Sequence, residues 1–185
     1  SIDECDELLS GNEVFLARTK GVGIIEKQDA LDFGLSGPTL RGSGIAEDIR
    51  ISDPYGIYDR FDFEIPVGTT GDSWDRYYVR IEEMRQSIKI IEQALSQMSE
   101  GPTLGNVRRL IKPPKGETYM RTETPRGDFG VFLVSDGSDK PYRVKVRAPS
   151  FSNLLSLTKM LENSYVADSV VILGSLDIVM GEVDR

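Results

Sequence analysis

Between residues 72 and 98 the apolar side chains fall at Trp74, Tyr77, Ile81, Met84, Ile88, Ile91, Leu95 and Met98, in steps that alternate three and four without a break. Residues spaced this way share one side of the backbone only if it is helical. The chain is therefore organised around one helix of about 40 Å, at a rise of 1.5 Å per residue. Asp72 is placed to cap it and Asp75 lies in its acidic first turn; Gly101-Pro102 stops it. Asp72–Arg76, Glu82–Arg85 and Lys89–Glu92 have the spacing of ion pairs along its solvent side. The stripe is short for a separate coiled coil, so it is expected to face the core of a helical bundle.

The flanking segments follow weaker rules. Residues 2–19 read as a helix or two broken at Gly11, with Leu8, Leu9, Phe15 and Leu16 as buried candidates. Residues 26–33 form a second short helix, with Ala30, Leu31 and Phe33 on one side and Gly34 as its stop. Residues 34–71 are rich in Gly, Pro, Asp and Tyr without a sustained period and read as a long ordered loop. After Lys112-Pro113-Pro114-Lys115-Gly116 the period drops to two. Residues 118–124, Phe129/Val131/Leu133 and Tyr142/Val144/Val146 read as strands, the last two joined through 135–139. Arg143, Lys145 and Arg147 then line the opposite face of their strand. A helix from Pro149-Ser150 through Leu154, Leu155, Met160 and Leu161, and another over 166–176, lead to a tail at 177–185. The fold class expected is α+β, a long-helix bundle packed with a small antiparallel sheet, in one domain over 1–185.

Composition removes most catalytic chemistry. There is no histidine and a single cysteine, Cys5, which excludes Ser-His-Asp and Cys-His nucleophiles, His-ligated zinc and CxxC pairs. Cys5 sits beside Asp3, Glu4 and Asp6, whose charge disfavours a thiolate. No metal ligand set is visible, and the available chemistry is that of carboxylates and arginines. The formal charge is −8, and 15 acidic residues against 6 basic ones crowd 1–72. Residues 108–147 are the basic part, but without the interleaved aromatics of a base-stacking surface, so nucleic acid is not an expected partner. No apolar run approaches the ~18 residues of a spanning helix. The N-terminus is acidic where a signal peptide is basic. The chain opens at Ser1, mid-way through what reads as a helix, and is expected to be a fragment.

Two glycine clusters invite nucleotide readings and fail them. Gly37-Pro38-Thr39-Leu40-Arg41-Gly42-Ser43-Gly44 lacks the Gly-Lys-Ser/Thr of a P-loop, and Gly21-Val22-Gly23 lacks the third glycine of a dinucleotide fingerprint. Tight turns and close backbone packing account for both. The tail Asp177-Ile178-Val179-Met180-Gly181-Glu182-Val183-Asp184-Arg185 keeps alternating apolar and charged residues to its end. It either docks in a groove or lines a cavity with two carboxylates and a guanidinium.

These segments together carry a resemblance. The run Gly37 to Gly44, Asp53-Pro54-Tyr55, Phe61-Asp62-Phe63, Pro66-Val67-Gly68, Gly71-Asp72 with Asp75-Arg76-Tyr77, Val79-Arg80, Glu82-Glu83-Met84-Arg85-Gln86-Ser87 and the terminal Gly181-Glu182-Val183-Asp184-Arg185 resemble the hydrogenase-like large subunit of bacterial NADH:quinone oxidoreductase, respiratory complex I. The likeness covers the C-terminal half of that subunit. The half with the His and Tyr of the quinone headgroup site is absent, in keeping with a chain without histidine. That family is in turn similar to the large subunit of nickel–iron hydrogenases, which ends in Asp-Pro-Cys-x-x-Cys-x-x-His. On this tail Asp177 matches the Asp, Val179 and Glu182 fall at the two cysteines and Arg185 at the His. Val179 cannot ligate, and one carboxylate does not replace a thiolate pair for nickel.

The resemblance implies a former metal site turned into part of a quinone cavity, within a proton-translocating NADH:quinone oxidoreductase. Asp177, Val179, Met180, Glu182 and Arg185 would line the cavity, with Glu182 and Arg185 paired, and Arg126 of Pro125-Arg126-Gly127 would hold the tail. NAD and the iron–sulfur clusters would be bound by partner subunits, none by this chain. Implied partners are the iron–sulfur subunit with the terminal cluster, other peripheral-arm subunits and the membrane-arm subunit of the quinone channel. The implied location is peripheral, on the cytoplasmic face of the inner membrane, and the isolated chain is expected to be inactive. A working nickel–iron hydrogenase would need four cysteines. The remaining alternative is a non-catalytic scaffold or assembly module of a redox complex.

Overall fold

The computed structural model describes residues 1–105 and 111–184. Arg108 and Arg109 of the basic stretch, and Arg185 with its expected pairing to Glu182, lie outside the described residues. The order is α1 (Ile2–Ser10), α2 (Glu13–Thr19), α3 (Lys27–Asp32), α4 (Gly37–Gly42), α5 (Ile49–Ser52), a 3-10 turn at Tyr58–Arg60 and α6 (Ser73–Gln97). Then come β1 (Gly116–Thr124), β2 (Gly127–Ser135), β3 (Arg143–Arg147), α7 (Pro149–Leu154), α8 (Leu157–Met160), α9 (Asp168–Leu176) and α10 (Met180–Val183). The fold is α+β, as the two periodicities predict. No helix among the described residues is long and apolar enough to cross a membrane.

The sheet is an antiparallel meander in the order β1-β2-β3. Thr124 faces Gly127 across the tight turn at Pro125-Arg126, and Phe132 faces Lys145. The apolar core lies elsewhere: Ile25, Ala30, Leu35, Leu40, Met160, Ile172 and Leu176 join α3, α4, α8 and α9. Ile178 of the tail packs on this cluster.

Helix α6 forms where the spacing puts it. The Asp72 carboxylate accepts from the Asp75 amide at 2.8 Å, the expected cap. The stripe, however, is not bundle core along its whole length. Trp74 and Tyr77 pack edge-on against Phe15 of α2 and Ile81 is buried, but exposure then climbs from 42% at Met84 to 71% at Met98. The side chains that α6 buries are instead Ser73, Arg76, Val79, Ile81 and Gln86. Glu82 pairs with Arg85 as expected. Arg76 does not turn outward to Asp72: it is fully buried.

Other expectations shift for local reasons. Gly11 breaks the first helix as predicted, with Leu9, Phe15 and Leu16 half-buried but Leu8 exposed; Leu31 is exposed while Ala30 is buried. Residues 34–71 are not one loop. The sequence Gly37-Pro38 places proline in the first turn, where it is tolerated, and starts α4, every residue of which is buried between α6 and β2. Its period is invisible because one and a half turns are too few to show one. The helix expected from Pro149 to Leu161 breaks into α7 and α8 at Leu155-Ser156, where the Ser156 hydroxyl bonds the Asn153 carbonyl.

Candidate functional site

The inward side of α6 carries a second stripe with the same spacing as the apolar one, set one residue earlier: Ser73, Arg76, Arg80, Glu83. It is polar, and it builds the site. Arg76 donates to Ser175 Oγ at 2.8 Å, the Gly71 carbonyl at 2.8 Å, the Gly23 carbonyl at 2.9 Å and Ser73 Oγ at 3.1 Å. Its hydrogen-bond partners are neutral dipoles, and burial, with the Arg80 charge second, pushes its pKa down to about 9 against the pull of the Asp72 and Asp75 charges.

Beside it, Arg41 of α4 gathers three carboxylates. Its Nε donates to Glu83 on α6, and Nη1 donates to Glu123 Oε1 on β1 at 2.9 Å and to the Glu47 carbonyl at 2.8 Å. Asp48, the cap of α5, lies 3.6 Å from Nη1 and takes a bidentate fork from Arg50 at 2.9 and 2.6 Å. Arg50 in turn covers the rings of Phe63 and Tyr58. Burial pushes both Glu83 and Glu123 above the ordinary glutamate range, with Arg41 pulling back part of that rise.

These groups open on a cleft of about 470 Å³, lined by Arg41, Arg50, Tyr58, Arg80, Glu83 and Glu123, with Asp177 at its rim. On the other side of Arg80 and Asp177 a second cavity, about 480 Å³, is walled mostly by apolar atoms of Phe15, Tyr77, Val171 and Gly174. The pair forms a partition between a space lined with charged side chains and a more apolar one.

The tail residues divide. Arg126 Nε donates to the Asp177 carbonyl at 3.0 Å and Nη2 approaches its carboxylate at 3.4 Å. Asp177 itself stands in the left-handed conformation, φ 55°, so the chain turns sharply out of α9. The Val179 amide donates to Ser150 Oγ at 3.3 Å, and Glu182 accepts from the Ser150 hydroxyl at 2.6 Å and amide at 3.2 Å. A carboxylate thus covers the N-terminal end of α7. Arg126 holds Asp177, which lines the cleft while Arg126 does not; Val179, Met180 and Glu182 line neither cavity, Val179 and Glu182 meeting at Ser150 and Met180 being 69% exposed. At the two positions corresponding to hydrogenase cysteines, Val179 offers no ligand atom and Glu182 is engaged by Ser150, so the donor set does not fit nickel. No cluster of metal-ligating side chains occurs among the described residues. Arg41, Arg50, Arg80, Glu83 and Glu123 are not marked as site residues by any motif of the sequence. The charged stripe running one position ahead of the apolar one could have found Arg80 and Glu83; no local pattern marks Arg41, Arg50 or Glu123.

The model of the respiratory-chain NADH dehydrogenase 49 Kd subunit matches residues 1–113 and 105–185, which together span the chain. The chain belongs to that family. It is 53% identical over 184 residues to the D subunit of the NADH-quinone oxidoreductase of Dehalococcoides mccartyi, covering all of this chain and 50% of the relative. The D subunit of the Clostridium beijerinckii enzyme is 53% identical over 185 residues with the same coverage, and that of Bacillus cereus 52% over 179 residues, 96% of this chain and 49% of the relative. The chain therefore spans about half the length of the curated relatives it matches. In this member of the 49 Kd family the cleft under Asp177 is the place where the tail meets α4, α6 and β1.

Proposed function

We propose that this chain forms one wall of the quinone cavity in a proton-translocating NADH:quinone oxidoreductase. In this reading electrons from NADH pass through iron–sulfur clusters of partner subunits, and the last of these faces the cavity. The observation that carries the reading is the cleft itself, which shares Arg80 and Asp177 with a largely apolar space. A quinone needs an apolar wall for its ring and fixed dipoles where its oxygens gain charge on reduction. Guanidinium groups held by backbone carbonyls supply that charge without reorganising. Arg126 holds Asp177 in place at the rim of the cleft, and Val179 with Met180, outside both cavities in this chain, are the apolar surface that the assembled enzyme would add to the wall. Glu182 acts through Ser150, by fixing the tail.

The proposal includes assembly with the iron–sulfur subunit of the terminal cluster, with further peripheral-arm subunits and with the membrane-arm subunit of the quinone channel, at the cytoplasmic face of the inner membrane. Asp177→Asn in the full-length subunit, within the assembled enzyme, tests it. The KM for quinone should rise several-fold with electron transfer from NADH to ferricyanide unchanged; unaltered quinone kinetics would overturn the reading. The 185-residue chain alone should show no NADH- or quinol-linked turnover. One observation favours the scaffold alternative, that Glu182 caps a helix. It wins if Asp177→Asn impairs assembly while assembled enzyme keeps its quinone kinetics.

A further inference from the structure

Among the described residues, Arg80 is the guanidinium of the buried cluster whose hydrogen bonding is half made. Nη1 donates to the Arg76 carbonyl at 2.7 Å and the Ser175 carbonyl at 2.8 Å. Nε and Nη2, both buried, have no partner. These two nitrogens form the side-on edge of a guanidinium, whose parallel N–H groups match a carboxylate or two neighbouring oxygens. Leaving such a fork unmade in the interior is unfavourable, so an acceptor is missing.

The described residues do not supply it. Glu83 and Glu123 are held by Arg41, Asp48 by Arg50 and Asp177 by Arg126. Phe15, Tyr77, Val171 and Gly174 on the apolar side offer no carboxylate. The position of Arg80 adds the second element, since it lines the polar cleft and the apolar cavity together. A ligand that meets this partition can present oxygen to the fork while its ring contacts the apolar side.

We propose that Arg80 is a ligand-recognising residue, whose Nε–Nη2 fork binds one or two adjacent acceptor oxygens of a ring ligand at the partition between the cleft and the apolar cavity. This rests on the quinone reading above and assigns one of its contacts. A ligand with a single isolated carbonyl fills half of the fork and binds less tightly than one with a second oxygen on the neighbouring carbon.

The test uses Arg80→Lys, which keeps the charge and loses the fork, and Arg80→Gln, both in the full-length subunit of the assembled enzyme. With decylubiquinone as acceptor the KM should rise about tenfold in Arg80→Lys, the scale of one charge-assisted hydrogen bond, with electron transfer from NADH to ferricyanide unchanged. An unchanged KM in both variants overturns the proposal. If neither variant assembles, wild-type enzyme photolabelled with an azido derivative of decylubiquinone decides. Label within 77–85 or 174–178 upholds the contact. Label on this chain only elsewhere overturns it, the fork's acceptor then belonging to the rest of the full-length subunit or to another polypeptide. Label nowhere on this chain overturns the quinone reading as well.

Discussion

Gly37 and Gly127 meet backbone to backbone. A Cβ built on Gly37 would lie 2.5 Å from Gly127 Cα, and one on Gly127 would lie 2.7 Å from the Gly37 nitrogen. Around the contact the Asp128 amide donates to Ser36 Oγ at 3.1 Å, the Ser36 amide to Asn153 Oδ1 at 3.1 Å and Asn153 Nδ2 to the Arg126 carbonyl at 3.2 Å. The start of α4, which carries Arg41, is thereby locked to the turn that carries Arg126.

Replacing either glycine with alanine forces backbone against backbone, and Gly37 also has φ +66°. Both variants should lose about 2–4 kcal/mol of stability or fail to fold, read by thermal or denaturant unfolding. Gly174→Ala is the control. Nothing lies within 4 Å of its Cβ position and it sits inside α9, so helix propensity predicts a gain of about 0.5–1 kcal/mol.

The raised carboxyls give a signed pH dependence. Glu83 and Glu123 bind a proton more tightly folded than unfolded, because burial disfavours their charge. The stability they contribute is therefore present below their ordinary value of 4.5 and is lost as pH rises through the folded values. Glu83→Gln removes one such group. Unfolding curves from about pH 4.5 to about pH 7 should fall less steeply for Glu83→Gln than for the wild type; parallel curves would refute the assignment.

Ser150, 1% exposed, is the anchor of the tail through Val179 and Glu182. Ser150→Ala removes one hydroxyl that serves both and should cost about 1–2 kcal/mol. Limited proteolysis should cut within 178–184 sooner in Ser150→Ala, with the sheet and α6 cleaved as in the wild type. Equal protection of the tail would show that Ile178 and the Arg126–Asp177 pair suffice to hold it.

What could be read from the sequence follows from length of signal. Helix α6 shows its period from end to end and the strands through several alternations, so both are legible, as is the cap at Asp72. Helix α4 is too short to show a period, and its burial is fixed by Gly37, which touches a strand turn ninety residues on. The site is hidden for a different reason. Arg76, Arg80 and Glu83 follow the helical spacing, but charged residues at that spacing read as a solvated face until neighbours such as Arg41 and Ser175 are known to sit against them. Arg126 and Asp177 are accessible only through family likeness, since no local rule joins residues 51 apart.

The outer end of α6 yields the last prediction. Ile88, Ile91 and Leu95 are 45%, 56% and 63% exposed, one above another along a single helix face, and Met98, just past the helix end, is 71% exposed. Such a contiguous apolar strip is rarely left in water by a soluble protein. Its three-four spacing is the one at which two helices interdigitate, and along one side it is flanked by Lys89 and Glu92, charges that would set the register. The 185-residue chain in isolation should therefore self-associate through this strip, with a mass by light scattering that rises with concentration. Ile91→Lys with Leu95→Lys places two like charges at four-residue spacing in the strip, which opposes pairing. Neither side chain is buried, so the fold should survive, and the double variant should be monomeric with an unchanged circular dichroism spectrum. Self-association that persists in this variant would move the contact elsewhere, to the exposed edge of β1 or β3.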